Sequence, residues 1–342
     1  NYLVALFFLF CGKVFSQETT MTDLFEALKS QPKTESDLLA VKKAKAGKQL
    51  ATSALYPKIT AFGRYNNTSI PTGMVPVPPN VLFPLIQDQS TPQPFSEEIY
   101  TAGVSVSMPI FVKSIYTLAS KANYLEKSAT AKKQINFIQN QAVIVASNAN
   151  LLYLESLTEA LENKRQSLLK TKEIIEMKVE NGRAPGSSLL VINNSINQVK
   201  TSKNNTAIKR EEAIASIENL TDIRLESPIK MLETKELTTT NMKALEPLEQ
   251  KVKADKLGWR SEKEKLLPSL SFFGNYYNSF ADSYNNNTAI DRDLTSFGLS
   301  LNVPIFDKRQ YAKIKKNKIA YNETKNELNQ LELSLKSQVN QL

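Results

Sequence analysis

Acid–base catalysis in this chain would have to rest on carboxylates, because the 342 residues include no histidine and a single cysteine, Cys11. Histidine is the commonest general base and metal ligand, and one cysteine builds neither an internal disulfide nor a cysteine metal site. Paired carboxylates could cleave glycosidic bonds. Here, however, they stand at helix-surface spacing beside lysines, as Glu262 does beside Lys265. The sequence therefore predicts no enzymatic activity, no cofactor and no metal site.

Polar side chains at alternate positions are the second candidate set. In four segments polar and apolar residues alternate with the period of two, which is typical of a β-strand with two different faces. The polar set would line a water-filled pore if the strands closed into a barrel. A half-buried sheet of a soluble protein shows the same alternation, so the pattern alone leaves both readings open. The candidate lining residues are Lys58, Arg64, Thr101, Ser105, Ser107, Ser269, Ser271, Ser300 and Asn302.

The segments that carry these strands occur twice. Residues 55–65, LYPKITAFGRY, resemble residues 266–276, LLPSLSFFGNY, and residues 103–111, GVSVSMPIF, resemble residues 298–306, GLSLNVPIF. The first copy holds 16 extra residues, in its proline-rich stretch between Pro71 and Pro94. Each copy is expected to fold as helix, strand, loop, strand and helix. Strands of about 8–11 residues have the length of tilted transmembrane β-strands.

The helices that flank the strands are predicted to be very long. Residues 113–181 contain neither glycine nor proline, and a continuous helix there would extend on the order of 100 Å. Apolar residues at steps of three and four indicate a coiled-coil-like seam. The pattern breaks at residues 181–188, NGRAPGSS, where Gly182 suits a helix end and Ser187 or Ser188 could cap the next helix. These features predict a helical hairpin with a tight tip.

The N-terminus carries a targeting pattern. Residues 2–10 are apolar and have the length of a signal-peptide core, and Val14-Phe15-Ser16 offers a cleavage site before Gln17. A lipid anchor on Cys11 is the alternative, which the bulky neighbours Phe8 and Phe10 disfavour. Because the sequence begins with Asn1 and ends inside a helical pattern, we expect it to be part of a longer protein.

The repeats and the targeting pattern together predict the organisation of the chain. Residues 1–16 form the signal peptide, and residues 220–247 form an irregular connection between two repeats. The first repeat covers residues 17–219, with a β-hairpin at 57–111 and the helical tip at 181–188. The second repeat covers residues 248–342, with a β-hairpin at 268–306 and a final helix.

The charge of the chain is spread rather than clustered. The formal net charge is +9, but the lysines are dispersed along helical stretches, which favours solvated faces over a nucleic-acid site. Beyond the N-terminal segment no apolar run reaches 18 residues. Entry of the mature chain into a membrane would therefore require β-strands.

Taken together, these motifs resemble the TolC-type outer-membrane efflux proteins. The likeness is carried by Ala54-Leu55-Tyr56-Pro57, by the repeated strand endings Met108-Pro109-Ile110-Phe111 and Val303-Pro304-Ile305-Phe306, and by the tip segment from Gly182 to Leu190. Two features depart from the family pattern. Val112-Lys113 and Asp307-Lys308 follow the strand endings, where the family often has glycines, and Ser188 stands where an aspartate is frequent.

The resemblance implies a mainly α-helical fold with transmembrane β-strands. Four strands from each chain would contribute to a twelve-stranded barrel in a homotrimer, and the long helices would form a coiled-coil-like tunnel. Four strands cannot close a barrel alone, and open sheet edges are not tolerated in lipid. Trimerisation would remove those edges, so the physical argument agrees with the resemblance.

The resemblance also implies a function and partners. The protein would lie in the outer membrane of a Gram-negative cell, in contact with its lipid, with helices in the periplasm. It would be a passive exit duct in a tripartite efflux or secretion system, served indirectly by an inner-membrane pump that selects the cargo. A periplasmic adaptor would contact the tip residues, which are Gly182, Arg183, Ala184, Pro185, Ser187 and Ser188.

The tip of the second repeat would lie beyond Leu342. A periplasmic structural or adaptor protein with coiled-coil helices is the alternative function. It explains the long helices but gives no reason for the duplicated two-faced strands.

Overall fold

The computed structural model of the protein describes residues 19–231 and 242–341. The predicted signal peptide lies outside the described residues, as does part of the predicted connection, residues 232–241. The chain forms two compact units, one made of Asn1–Leu39 with Lys133–Asn241 and the other of Ala40–Lys132 with Met242–Leu342. The predicted division into two sequence repeats does not coincide with these two units, and it stays a prediction.

Long helices and four strands make up the described chain, as the sequence predicted. Loops or turns separate most of these helices and strands, and a short 3-10 helix at Lys243–Leu245 precedes α6. In chain order the elements are α1 (Met21–Lys29), α2 (Pro32–Ser53), β1 (Lys58–Gly73), α3 (Pro79–Gln87), β2 (Phe95–Phe111), α4 (Lys113–Glu180), α5 (Ser187–Thr221), α6 (Glu246–Glu264), β3 (Ser269–Asp282), β4 (Ala289–Asn302) and α7 (Lys308–Gln341).

The strands form one antiparallel sheet in the order β1-β2-β3-β4. Each predicted hairpin is present, and the two copies of the repeated motif join through the pairing of β2 with β3. The repeated strand endings differ, because β2 continues through Pro109 to Phe111 whereas β4 stops at Asn302. The end of β2 still pairs with Ser271 and Leu270 of β3, but β3 begins opposite Asn302 and leaves the second ending without a partner.

The loop between β1 and β2 contains a helix that the sequence analysis did not predict. Prolines suit the first turn of a helix, and Pro79 opens α3 in this way. The rest of the loop is anchored on the turn between β3 and β4. The Ser283 hydroxyl donates to the carbonyl of Gln93 (2.9 Å), and the Asn285 amide donates to the carbonyls of Gln89 and Thr91 (both 3.1 Å).

In the first unit, α1, α4 and α5 share a hydrophobic core. Thr20 caps α1 and exchanges hydrogen bonds with Asp23, which lower the pKa of the Asp23 carboxyl. The apolar face of this short helix then packs against the two long ones. The fully buried members of the core are Leu24, Leu28, Ile144, Ile214 and Ile217.

A buried asparagine fixes the segment that follows α5. The Asn148 side chain, on α4, is fully buried. Its amide donates to the carbonyl of Ile229 (2.7 Å), and its carbonyl accepts from the Ile229 amide (2.9 Å). One side chain therefore satisfies both backbone groups of Ile229, as buried polar groups require.

In the second unit, α6 and α7 pack through mixed polar and aromatic contacts. The Trp259 ring stacks on Tyr321 with centroids 6.1 Å apart. The side-chain amide of Gln310 donates to the backbone carbonyl of Glu262 at 2.7 Å, and the Thr324 hydroxyl donates to the Asp255 carboxylate at 2.8 Å. Among the described helices, none combines the length and the apolar composition that a membrane-spanning helix needs.

Replacing Asn148 tests the link between α4 and the segment after α5. We expect Asn148→Ala to leave both backbone groups of Ile229 without partners, at a cost of about 1–3 kcal/mol. Hydrogen exchange at the Ile229 amide should accelerate by at least about fivefold, which corresponds to the lower bound of that cost. Asn150→Ala, at an exposed position two residues away, is the control and should leave that exchange rate unchanged. Equal rates in the two variants would contradict the assigned role of Asn148.

Candidate functional site

The strand register places the nine predicted pore-lining residues on one face of the sheet. Residues directly opposite each other in paired strands point to the same side. Lys58 lies opposite Ser107 and Arg64 opposite Thr101. The remaining pairs continue the same side across the sheet, namely Thr60 with Ser105, Pro109 with Ser271, Ser271 with Ser300, and Ser269 with Asn302. We call this side the polar face.

One transverse row of the polar face carries an arginine at each end. Arg64 of β1 lies opposite Thr101, Thr101 opposite Ser279, and Ser279 opposite Arg292 of β4. The two central hydroxyl oxygens are hydrogen-bonded at 3.2 Å. The sequence analysis missed Ser279 and Arg292. Extending the alternation of β3 and β4 toward the loop ends of the strands would have found both.

Three aromatic residues, Phe62, Phe273 and Tyr277, interrupt the polar face, and two glycines lie beside them. Phe62 lies opposite Gly103, and Tyr277 lies on the other side of that glycine. A Cβ atom at Gly103 would come within 2.5 Å of the Tyr277 Cβ. A Cβ atom at Gly298 would come within 2.8 Å of the Phe273 ring. Glycine at position 298 therefore leaves room for the Phe273 ring, and glycine at position 103 allows the backbone of β3 to approach closely at Tyr276 and Tyr277.

The opposite face of the sheet is apolar and exposed. Phe297 is 78% exposed and Leu301 67% exposed. Three rings lie side by side near the loop ends of the strands, with centroids 4.9 Å apart for Tyr65 and Tyr100 and 5.4 Å apart for Tyr100 and Phe280. The large exposed side chains of this apolar face are Ile59, Tyr65, Tyr100, Val104, Met108, Tyr276, Phe280, Phe297, Leu299 and Leu301.

The helical tip at residues 181–188 is a second candidate site, and its backbone ends α4 in a defined way. Gly182 has a φ of +70°, a left-handed conformation that favours glycine. The Gly182 amide donates to the carbonyl of Val179 (3.0 Å), and the Arg183 amide donates to that of Lys178 (2.7 Å). This pair of bonds is the Schellman motif, which satisfies carbonyls at the end of a helix.

The start of α5 differs from the prediction. Neither Ser187 nor Ser188 is the N-cap, which is Gly186, and no side chain caps the helix. The Ser188 amide instead donates to the carbonyl of Pro185 at 3.0 Å, and the Leu189 amide donates to that of Gly186 at 3.1 Å. Backbone carbonyls of the tight turn thus accept the bonds that a serine hydroxyl would have accepted.

The surface around the tip is more apolar than the sequence analysis predicted. Leu190 and Val191 are each 67% exposed, and Met177 on α4 is 55% exposed. The run Leu189-Leu190-Val191 was the available signal, because three consecutive apolar residues cannot all point to one side of a helix. The predicted tip residues Gly182, Arg183, Pro185 and Ser187 are exposed as well, and Ala184 and Ser188 are half-buried.

A polar cluster joins the two helices of the hairpin between its core and its tip. The Lys203 ammonium on α5 lies 2.5 Å from Glu162 on α4, and Arg165 also contacts Glu162 at 2.7 Å. Hydrogen bonds from Arg165 first, and then from Lys203 and Gln166, hold the pKa of the Glu162 carboxyl well below its usual range. Glu162 therefore has a structural role, because its ion pair with Lys203 connects α4 to α5. Within the described residues no group of three acidic, histidine or cysteine side chains is arranged to hold a metal.

Two glycines of the tip offer a matched test of its geometry. An added Cβ meets nothing within 4 Å at either Gly182 or Gly186, but only Gly182 has a left-handed φ. We expect Gly182→Ala to cost about 1–2 kcal/mol and Gly186→Ala to be neutral or slightly stabilising. Hydrogen exchange at the Arg183 amide should accelerate by at least about fivefold in the first variant alone. Equal exchange in both would refute the left-handed helix end.

Comparison with known proteins gives matches only at the level of structure. No protein-family model matches the chain, and no curated protein sequence does. Among solved structures, the outer membrane protein VceC from Vibrio cholerae matches with a TM-score of 0.71 and 13% identity, over 92% of this chain and 75% of that chain.

Two further channels match similarly. The Campylobacter jejuni CmeC outer membrane channel gives a TM-score of 0.70 and 14% identity, over 92% of this chain and 67% of that chain. The outer-membrane channel OprN gives a TM-score of 0.70 and 15% identity, over 92% of this chain and 71% of that chain. The mainly α-helical fold with four strands per chain is thus confirmed, and the protein has the fold of the TolC-type outer membrane factors.

Proposed function

We propose that the protein is an outer-membrane channel subunit of a tripartite efflux or secretion system. In this proposal three copies form a passive exit duct, and none of them catalyses a reaction. The observation that carries the proposal is the two-faced sheet, in which one face is polar and the other is apolar and exposed. The solved structures of the same fold support it, because they are outer-membrane channels.

The apolar face has the composition of a lipid-facing surface. Fully burying one large apolar side chain contributes about 1.5–3 kcal/mol, and ten such side chains share this face. Leaving the face in water would forgo on the order of 10 kcal/mol, and large exposed apolar patches mark interaction surfaces. The row of Tyr65, Tyr100 and Phe280 corresponds to the aromatic girdle that transmembrane barrels place at the membrane interface.

The edges of the sheet support assembly from several copies. β1 and β4 are the outer strands of the sheet in the described chain, and an unpaired edge cannot lie in lipid. Pairing β1 of one copy with β4 of the next would remove every edge once the ring closes. We propose a homotrimer with twelve strands, as the resemblance implies, with the polar face turned toward a water-filled lumen.

The helical tip is the proposed contact for a periplasmic adaptor, which would connect the duct to an inner-membrane pump. Its residues would be Gly182, Arg183, Ala184, Pro185, Ser187 and Ser188, as the resemblance implies. The structure adds exposed Leu190 and Val191 beside them. An apolar centre with a polar rim is the usual composition of a protein interface.

The alternative function, a periplasmic coiled-coil protein, is supported by the long helices alone. Such a protein would need no apolar sheet face, and its exposed apolar patches would be an aggregation hazard. The sheet therefore favours the channel, with localisation in the outer membrane and helices extending into the periplasm.

Labelling of neighbouring cysteines tests the orientation of the sheet. Val104 lies on the apolar face and Ser105 on the polar face. In a Cys11→Ser background, we expect Val104→Cys to react with a lipid-soluble reagent and Ser105→Cys with a membrane-impermeant one. Each variant serves as the control for the other. Identical labelling of the two positions by both reagents would exclude a barrel.

A bulky side chain at the tip tests adaptor docking. We expect Gly182→Trp to abolish pump-dependent export, because the ring would occupy the contact surface and strain the end of α4. Drug susceptibility of cells that produce the variant is the measurement, with the protein level in the outer membrane as the control. Unchanged export at a normal protein level would contradict the docking proposal.

A further inference from the structure

The charged residues of the sheet are sorted by face. Along the ladder that starts at Lys58, the polar face carries three cations, Lys58, Arg64 and Arg292, and no carboxylate. The carboxylates of the paired residues lie on the apolar side, near the loop ends, and are Glu98, Asp282, Asp291 and Asp293. Glu97 of β2 lies at the irregularity in the pairing of β1 with β2 and has no paired residue. The sign of the charge therefore differs between the two faces of the same strands.

The two arginines share the transverse row defined above, with Thr101 and Ser279 between them. Neighbouring strands lie about 4.8 Å apart, so the backbones of the two arginines are separated by about 14 Å. Both side chains are exposed. Neither takes part in an ion pair among the described residues. Their charges are thus not neutralised by a neighbouring carboxylate.

The surroundings of Arg64 suit an anion with an apolar body. A groove of about 300 Å³ is lined there by Arg64, Thr101, Asn275 and Ser279, with the rings of Phe62 and Tyr277 beside them. A guanidinium group offers a planar fork of donors to carboxylates and phosphates. The hydroxyl and amide groups add further donors, and the two rings supply apolar contact.

We propose that this polar face makes the duct selective for anionic solutes, with the row from Arg64 to Arg292 as its principal determinant. The inference rests on the proposed function, because the face acts on solutes only if it lines a pore. In a cleft lined by charges of one sign, low-dielectric walls strengthen the electric field. The local concentration of counter-ions can then rise about tenfold or more. Three copies would each contribute one such row.

Ion selectivity of the reconstituted full-length protein tests the inference. Single channels would be recorded in a planar lipid bilayer under a tenfold KCl gradient at low ionic strength, where screening is weakest. We expect chloride to be more permeant than potassium. The double variant R64Q/R292Q should lower the chloride-to-potassium permeability ratio at least about threefold, and R64E/R292E should invert the preference. Both arginines are exposed, so these changes leave the packed core intact.

Two control variants separate the row from other sources of charge. R64K/R292K retains the charges and should retain the chloride preference. R260Q/R309Q removes the same number of charges from α6 and α7 and should leave the permeability ratio unchanged. A shift in that helix control as large as in R64Q/R292Q would overturn the assignment to the row.

The outcomes also separate this inference from the proposed function. A conducting protein without chloride preference, or one whose preference survives R64Q/R292Q, would overturn the inference and leave the channel function standing. Absence of any conductance from a correctly assembled protein would overturn the channel function, and the selectivity inference with it.

Discussion

The rest of this structure depends on the need to cover one face and two edges of a four-stranded sheet. The sheet presents large apolar side chains on one side and hydroxyl, amide and cationic groups on the other. The large apolar side chains of that face are exposed in the described part of the chain, and the outer strands β1 and β4 have no further partner among the described strands. In the proposed channel, lipid against the face and further copies at the edges would satisfy both requirements at once.

The repeated strand segments explain how one chain supplies all four strands of this sheet. The two hairpins join through β2 and β3, and the same segment types recur in both. Small residues then adapt the surface locally, because Gly298 leaves room for the Phe273 ring and Gly103 allows β3 to approach closely. The ends of the helices are determined differently. Backbone geometry ends α4 at the tip, as the left-handed Gly182 shows, whereas the Thr20 side chain caps α1.

Features with a strict period could be predicted from the sequence. The alternation of polar and apolar residues predicted the strands, and the register shows the same sorting in residues 101–108 and 296–302. The absence of glycine and proline predicted α4 as one helix of 68 residues. These signals are local and repeated, so they withstand the influence of tertiary contacts.

Features that depend on contacts could not be predicted. The anchoring of the segment that follows α3 depends on Ser283 and Asn285, which lie about 190 residues further along the chain. The cap at Gly186 was missed because backbone bonds replaced the expected serine hydroxyl. The row that connects Arg64 to Arg292 could not be predicted either, because it depends on the register of three strand pairs and not on the alternation within one strand.

The mass of the full-length protein, extracted by detergent from an outer-membrane fraction, tests whether several copies share one barrel. We expect detergent to be required for extraction and the protein mass to equal three chains. A monomer, or a protein that is released without detergent, would contradict the shared barrel and favour a periplasmic coiled-coil protein.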